Sequence, residues 1–174
     1  MTAEEYAQTY LKEEIAIIQD SDIISAIPEL SIYEKAIVYK YTDDGYKDLN
    51  ENLRISQGKV DTLFGKLLYE SINIMPKFIG NVYRGVNLTN EEKERYNWAF
   101  INDEPITEYS FVSTSRSPLI ANGFGSTRFE IFTTSGRRVE SISKYSDEKE
   151  VILLCNSRFR VVKIDIDFIQ LIEI

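Results

Sequence analysis

The chain has 174 residues with 43% hydrophobic content, and its 28 acidic against 20 basic side chains give it a net charge of −8. With no histidine and one cysteine, it excludes catalysis by histidine, an internal disulfide and a zinc site, so we expect no metal. The acidic balance also argues against nucleic acid as a partner, because nucleic-acid-binding proteins neutralise phosphates with basic side chains.

The length suits one domain over residues 1–174, since the chain has no repeat, linker or low-complexity tract. Its acidic start runs into helical periodicity, which is not the pattern of a signal peptide, and no apolar run reaches the length of a membrane span. We therefore expect a soluble protein that acts in a cytosol, away from membranes. Residues 111–174 hold 8 acids against 9 bases, a local balance that suits an anion such as a dinucleotide.

Apolar residues recur every three or four positions through the first hundred residues, as they do in helices that pack on a core. The pattern predicts helices over residues 4–19, 30–41, 44–54, 60–74 and 91–100. Pro28, Gly45, Gly58 and Pro76 mark the breaks between these helices.

Past residue 105 the chain is rich in β-branched and aromatic residues, which favour strands. Strands are predicted over residues 110–115, 128–133, 139–142, 151–154 and from 159 to 166 or beyond. Helices followed by strands indicate an α+β fold.

Glu148 and Glu150 precede the apolar run 151–154, which predicts a buried strand. Residues two apart on extended backbone point the same way, so both carboxylates are expected to leave the end of that strand and face one site. The same spacing at Glu92 and Glu94 is typical of the acidic first turn of a helix, so the spacing alone identifies nothing. Two solvated acids at a strand edge are the alternative interpretation.

Two further polar segments come earlier in the chain. Arg84 is a cation at a predicted strand end, and Gly85 after it would let backbone approach a ligand closely. Ser113, Thr114 and Ser115 lie on a predicted strand, where alternation directs both serines to one face and Thr114 to the other. The alternatives are a structural ion pair for Arg84 and an ordinary hydroxyl-rich strand end for the serines.

In this order, residues 83–85, 111–115 and 145–150 resemble the Arg, Ser-Thr-Ser, Glu-x-Glu signature of arginine-directed mono-ADP-ribosyltransferases. That family includes the enzymatic components of clostridial binary toxins and several phage enzymes. The resemblance covers roughly residues 36–164. It implies two packed, mainly antiparallel β-sheets with N-terminal helices, NAD as co-substrate, and transfer of ADP-ribose to arginine of a target protein. The transition state would be oxocarbenium-like, as in glycosidases.

The resemblance also implies a role for each matching residue. Glu150 would hydrogen-bond the ribose 2′-hydroxyl and stabilise the transition state, with Ser113 orienting it. Glu148 would hold and activate the incoming guanidinium, and members that modify other acceptors often have Gln there, so Glu148 makes arginine the predicted acceptor. Arg84 would anchor a phosphate of NAD while the backbone at Gly85 meets the nicotinamide amide.

Further contacts with NAD follow from the same resemblance. They are assigned to Tyr46, Asn50, Thr114, Ser115, Phe124 and Arg128. Tyr46 and Asn50 are four apart on one helix face and would reach the phosphates. Residues 120–125 resemble a mobile covering loop, in which Phe124 would stack on nicotinamide, while Arg128 just after it would meet phosphate.

Tyr145 matches an aromatic residue of the turn that recognises the target, with a surface tyrosine as the alternative. No role is predicted for Arg137 and Arg138.

Two other functions stay open: hydrolysis of NAD with water as acceptor, and an inactive docking module of the same fold. The chain is shorter than many toxin components and has no recognisable second domain, so a separate delivery partner is compatible with it.

Overall fold

The computed structural model describes residues 1–174. Its α-helices are α1 (Ala3–Tyr10), α2 (Lys12–Gln19), α3 (Ile32–Lys40), α4 (Tyr46–Ile55), α5 (Leu63–Ile74), α6 (Asn90–Asn102) and α7 (Pro118–Ala121). Its strands are β1 (Lys77–Val86), β2 (Ile106–Glu108), β3 (Val112–Ser115), β4 (Thr127–Arg138), β5 (Glu150–Leu153), β6 (Ser157–Asp165) and β7 (Phe168–Glu173). Most helices precede the strands, so the predicted α+β class is confirmed. No helix is both long enough and apolar enough to cross a membrane.

Side-chain caps set several helix starts. Thr2, Ser31 and Thr89 each accept the N–H of a glutamate three residues ahead, and that glutamate accepts the N–H of the cap in return. The predicted helix 4–19 is divided at Leu11, whose φ of −126° and ψ of 38° leave the helical region. The division lets α1 and α2 pack separately on α3 while the Leu11 side chain stays buried.

A π-helical turn, Tyr41–Gly45, joins α3 to α4, so the break predicted at Gly45 is absent. Gly45 has helical backbone angles, φ −62° and ψ −19°. A Cβ on Gly45 would lie 3.1 Å from the Phe64 ring and 3.0 Å from the Lys40 carbonyl. The glycine therefore serves close packing against α5 and does not end a helix.

The strands form one hydrogen-bonded network in which β4 is central. β4 pairs with β1 in antiparallel fashion, with β7 in parallel, and through Arg137 and Arg138 with β5. β3 links to β1 through Tyr83 and Ser115. The order is β1-β3-β5-β4-β7-β6-β2 with β1 also paired to β4, so the two predicted sheets share strands.

Two hydrophobic cores hold the layers together. One lies between the β3–β5 pair and the longer sheet, where Val112 and Val151 pack with Ile131 and Leu171. The other lies between the helices and the opposite face of β3–β5, and the predicted packing of Cys155 is found here. The β3–β5 pair is thus buried on both faces, which fixes the position of its ends.

Residues 139–142, predicted as a strand, form a turn in which the Ile142 N–H donates to the Val139 carbonyl at 2.9 Å. Val139 and Ile142 are fully buried under the helices. A three-residue spacing on one turn places both side chains on the same side, which alternation along a strand would not do. The turn brings the chain back toward the start of β5.

Candidate active site

A cleft of about 840 Å³ opens where α4 and the π-helical turn face the ends of β1, β3 and β5. Most residues predicted for the site line it. These are Tyr46, Asn50, Arg84, Gly85, Ser113, Thr114, Ser115, Phe124, Tyr145, Glu148 and Glu150. The structure therefore brings together side chains that are up to about a hundred positions apart in the sequence.

Glu150 is the first residue of β5 and is 6% exposed. Its Oε1 accepts a hydrogen bond from Ser113 Oγ at 2.5 Å. Burial raises the pKa of Glu150 to about 7, opposed by the hydrogen bond from Ser113 and the positive charge of Arg84, and reinforced by the nearby Glu148 carboxylate. The structure thus contains the contact that was predicted to orient this carboxylate.

Arg84 lies near the end of β1 and donates from its guanidinium to the Ser113 carbonyl at 2.8 Å. It takes part in none of the eight ion pairs of the chain, so the alternative of a structural ion pair is wrong. The guanidinium holds the strand that carries Ser113 and lines the cleft as a cation without a protein carboxylate.

Glu148 does not lie on a strand. It ends a 3-10 turn, Ser146–Glu148, and Lys149 after it has a left-handed φ of 51°. The prediction that both carboxylates project from one strand face is therefore wrong, because a left-handed residue separates them. Both side chains still line the cleft, and burial raises the pKa of Glu148.

The hydroxyls of Thr114 and Ser115 are engaged by backbone. Thr114 Oγ1 donates to the Val151 carbonyl at 2.6 Å, and Ser115 Oγ donates to the Glu148 carbonyl at 2.6 Å. These contacts hold β3 to β5 and to the turn before it. Of the three hydroxyls, only that of Ser113 donates to a carboxylate, that of Glu150.

On the helical side of the cleft, Asn50 is 8% exposed and donates from Nδ2 to the Tyr41 hydroxyl at 3.1 Å. Its Oδ1 is buried with no hydrogen-bond partner in the protein. A buried acceptor without a donor is costly, so this oxygen fits a ligand that supplies a hydroxyl or an amide N–H. Tyr46, one helical turn earlier, is partly exposed at the cleft mouth.

Several further residues line the cleft beside those assigned a contact with NAD. They are Tyr41, Thr42, Asp43, Asp44, Lys47 and Arg54. Tyr41 is fully buried, and burial raises the pKa of its phenol, opposed by the hydrogen bond from Asn50. In the sequence, Tyr41-Thr42 and Arg54 accompany Tyr46 and Asn50 in the same resemblance to a helix pattern of the family, and that resemblance is the signal that points to them.

The loop after α7 rests directly on β1. A Cβ on Gly85 would lie 2.1 Å from the Ala121 carbonyl oxygen, and one on Gly125 would lie 2.3 Å from the Val86 carbonyl carbon. Both glycines therefore allow backbone to meet backbone. Gly85 was predicted to admit a ligand, and here it admits this loop, which carries the exposed Phe124 to the cleft rim.

Arg128 is the one predicted site residue that the cleft lacks. It is exposed on β4 beside Phe168 of β7, and it lines an adjoining cavity of about 170 Å³ that shares Tyr83, Arg84 and Ala121 with the cleft. The prediction that it meets phosphate in the cleft needs correction, because the β4–β7 pairing places its side chain next to β7.

Tyr145 lies where it was predicted, half-exposed at the cleft mouth.

The burial of Glu150 predicts a pH-dependent cost in stability. Its pKa is about 7 in the folded protein against an ordinary value of 4.5. Below the unfolded pKa the carboxyl is protonated in both states and does not lower the free energy of unfolding. As pH rises through 7, burial of the charged form lowers that free energy by about 3 kcal/mol. Glu150→Gln should therefore melt at a higher temperature than the unmodified protein at pH 8 and at nearly the same temperature at pH 4. Thermal melts at both pH values check this, and equal melting temperatures at pH 8 would contradict the assigned burial cost.

The family model for the ADP-ribosyltransferase exoenzyme domain matches residues 7–170. A protein of Mycobacterium avium (strain 104), named as a candidate NAD(+)–arginine ADP-ribosyltransferase Mav, is 36% identical over 141 residues, which cover 76% of this chain and 16% of that protein. The NAD(+)–protein-arginine ADP-ribosyltransferase Tre1 of Serratia proteamaculans (strain 568) is 29% identical over 129 residues, covering 72% of this chain and 27% of that protein. The chain therefore spans less than a third of either relative.

Among solved structures, the ADP-ribosyltransferase HopU1 of Pseudomonas syringae pv. Tomato DC3000 superposes with a TM-score of 0.79. The match covers 92% of this chain and 86% of HopU1 at 21% identity, so it establishes the fold. The resemblance seen in the three motif segments is confirmed by the family match, and this chain belongs to the ADP-ribosyltransferase exoenzyme family.

Proposed function

We propose that this chain is an NAD-dependent mono-ADP-ribosyltransferase that modifies an arginine of a target protein. The observation that carries the proposal is the joint position of Glu150 and Glu148 on one cleft. Glu150 is buried and held by Ser113, and Glu148 stands on the adjoining turn. We propose that residues 1–174 act as one catalytic domain in a cytosol.

The cleft suits a dinucleotide in size, and it offers cations that could meet the phosphates. Its volume of about 840 Å³ lies within the range of small-molecule and cofactor sites. Lys47, Arg54 and Arg84 supply cations for a pyrophosphate. The unpartnered Oδ1 of Asn50 supplies an acceptor for a hydroxyl or amide of the same molecule.

Glu150 would stabilise the positive charge that develops on the ribose carbon as the bond from that carbon to nicotinamide breaks. A carboxylate in a buried site is poorly solvated, so its attraction for that cation is stronger than it would be in water. Ser113 donates to Oε1 of Glu150 and so holds the carboxylate that would accept the ribose 2′-hydroxyl. The bonding electrons leave with nicotinamide, which departs neutral.

Glu148 would govern the second half of the reaction. A guanidinium nitrogen forms the new bond to the ribose carbon and must lose a proton, which the carboxylate can accept. The raised pKa of Glu148 makes it a stronger base than an exposed glutamate. Its charge also pairs with the acceptor before bond formation.

Hydrolysis of NAD is the second candidate, since water would use the same Glu150 and would not need Glu148. An inactive docking module is disfavoured, because it has no need for a buried carboxylate whose pKa is raised to about 7.

Incubation with NAD labelled in its ADP-ribose moiety tests the proposal, using agmatine as a small guanidine acceptor. We expect labelled ADP-ribosyl-agmatine in addition to free ADP-ribose. Free ADP-ribose alone would favour the hydrolase, and intact NAD after prolonged incubation would favour the inactive module.

Arg84→Lys is expected to weaken NAD binding by about tenfold although the charge is kept, because an ammonium lacks the planar fork of the guanidinium. Calorimetric titration with NAD measures this change. A lower melting temperature with unchanged affinity would instead mean that the hydrogen bond from Arg84 to the Ser113 carbonyl is its whole role.

A further inference from the structure

The end of β3 holds the peptides between the two glutamates through hydrogen bonds to their carbonyls. Ser115 Oγ donates to the Glu148 carbonyl at 2.6 Å, and the Arg116 N–H donates to the Lys149 carbonyl at 3.1 Å. Lys149 has left-handed backbone, so this stretch follows no regular ladder. The direction in which Glu148 points therefore depends on these contacts.

The Arg116 side chain extends this hold to the turn 139–142. One terminal nitrogen of its guanidinium donates to both carboxylate oxygens of Glu140, at 2.9 and 2.7 Å. Val139, the neighbour of Glu140, donates its N–H to the Glu150 carbonyl at 3.1 Å. The ion pair of Arg116 and Glu140 thus connects Arg116, whose N–H holds the Lys149 carbonyl, to the turn whose Val139 holds the Glu150 carbonyl.

Arg138 completes the arrangement from the end of β4. Its Nε and a terminal nitrogen donate to Oε1 of Glu140 at 3.2 and 2.7 Å. Burial pushes the pKa of Glu140 upward, but the guanidiniums of Arg116 and Arg138 outweigh it and hold that pKa below its ordinary value. Glu140 therefore stays ionised where Glu150 titrates.

Stability alone does not account for Arg116. Its Nε is buried without a hydrogen-bond partner, a cost that an apolar side chain of similar length would avoid. Neither Arg116 nor Glu140 lines the cleft. Any influence on the reaction must therefore pass through the backbone that they hold.

We propose that Arg116 and Glu140 are positioning residues for Glu148, and that their ion pair directs the reaction toward arginine and away from water. The inference rests on the proposed transfer to arginine. Without the pair, the peptides between Glu148 and Glu150 loosen, whereas the hydrogen bond from Ser113 to Glu150 is untouched. NAD cleavage then continues, and water replaces the guanidine more often.

The test compares Glu140→Gln, Arg116→Met and Arg116→Lys with the unmodified protein. Labelled NAD and agmatine give two products, ADP-ribosyl-agmatine and free ADP-ribose, from one reaction. Arg95→Met is a matched control, since Arg95 and Glu108 form an ion pair of 3.2 Å with side chains 43% and 21% exposed, against 33% and 20% for Arg116 and Glu140. Arg95 and Glu108 lie outside the cleft wall.

We expect Glu140→Gln and Arg116→Met to lower the ratio of transfer to hydrolysis by about five- to tenfold, with total NAD cleavage within about twofold. Arg116→Lys keeps one charged contact and should recover part of the ratio. Arg95→Met should leave the ratio unchanged.

An unchanged ratio in Glu140→Gln and Arg116→Met, with a melting temperature lowered as in Arg95→Met, would overturn the proposal and make the pair structural. A parallel fall of both products would also overturn it, because the pair would then act on Glu150 or on the fold. Absence of ADP-ribosyl-agmatine from the unmodified protein would instead overturn the proposed transfer function itself.

Discussion

Glu150→Gln should lower the rates of both ADP-ribosyl transfer and NAD hydrolysis by about 100-fold or more, which corresponds to about 2.7 kcal/mol of transition-state stabilisation. The amide keeps the shape of the side chain but not its negative charge. Because that charge meets a cation mainly in the transition state, the Kd for NAD should change by less than about threefold. Steady-state rates with agmatine and calorimetric titration with NAD measure the two quantities.

Glu14→Gln is a suitable control for Glu150→Gln. Glu14 is another buried carboxylate, on α2, where it lies 3.4 Å from Lys40 and outside the cleft wall. It should alter the melting temperature without altering the rates. If Glu150→Gln retained more than half of the normal turnover, the assignment of Glu150 would be lost.

Glu148→Gln should separate the two reactions. Transfer to agmatine is expected to fall by about 30-fold or more, since a neutral amide neither pairs with a guanidinium nor accepts its proton. Hydrolysis should stay within about threefold, because Ser113 and Glu150 are unchanged and water needs no partner at Glu148. Both products are measured from one preparation of labelled NAD.

The outcome also decides between two arrangements of the carboxylates. A parallel loss of transfer and hydrolysis in Glu148→Gln would show that Glu148 and Glu150 act as one catalytic pair. Asp147→Asn is the neighbouring control, since Asp147 lies on the same turn, is exposed and does not line the cleft. It should leave both products unchanged.

The sequence predicts which residues line the cleft better than it predicts how they are arranged there. The contact between Ser113 and Glu150 was predicted from the resemblance of the motif segments to the family, and the structure contains it. Glu148 could not be placed, because the left-handed backbone of Lys149 is rare for a lysine and has no sequence signal.

Other errors have similar physical causes. Residues 139–142 were predicted as a strand because they are rich in β-branched residues, but their backbone turns, so that Val139 and Ile142, three positions apart, are both buried under the helices. Arg128 misses the cleft because its surroundings depend on the pairing of β4 with β7, which lie about forty positions apart along the chain. Local patterns carry no information on such pairings.

The π-helical turn sets the rotational phase of α4. A π-turn holds one residue more than an α-turn, and each residue of an α-helix turns the chain by about 100°. Loss of one residue from Tyr41–Gly45 would allow α3 and α4 to form one uninterrupted α-helix, but it would swing Tyr46 and Asn50 about a quarter-turn around its axis. Length variation is therefore more restricted in this short segment than in the surface loops, even though none of its residues belongs to the three motif segments.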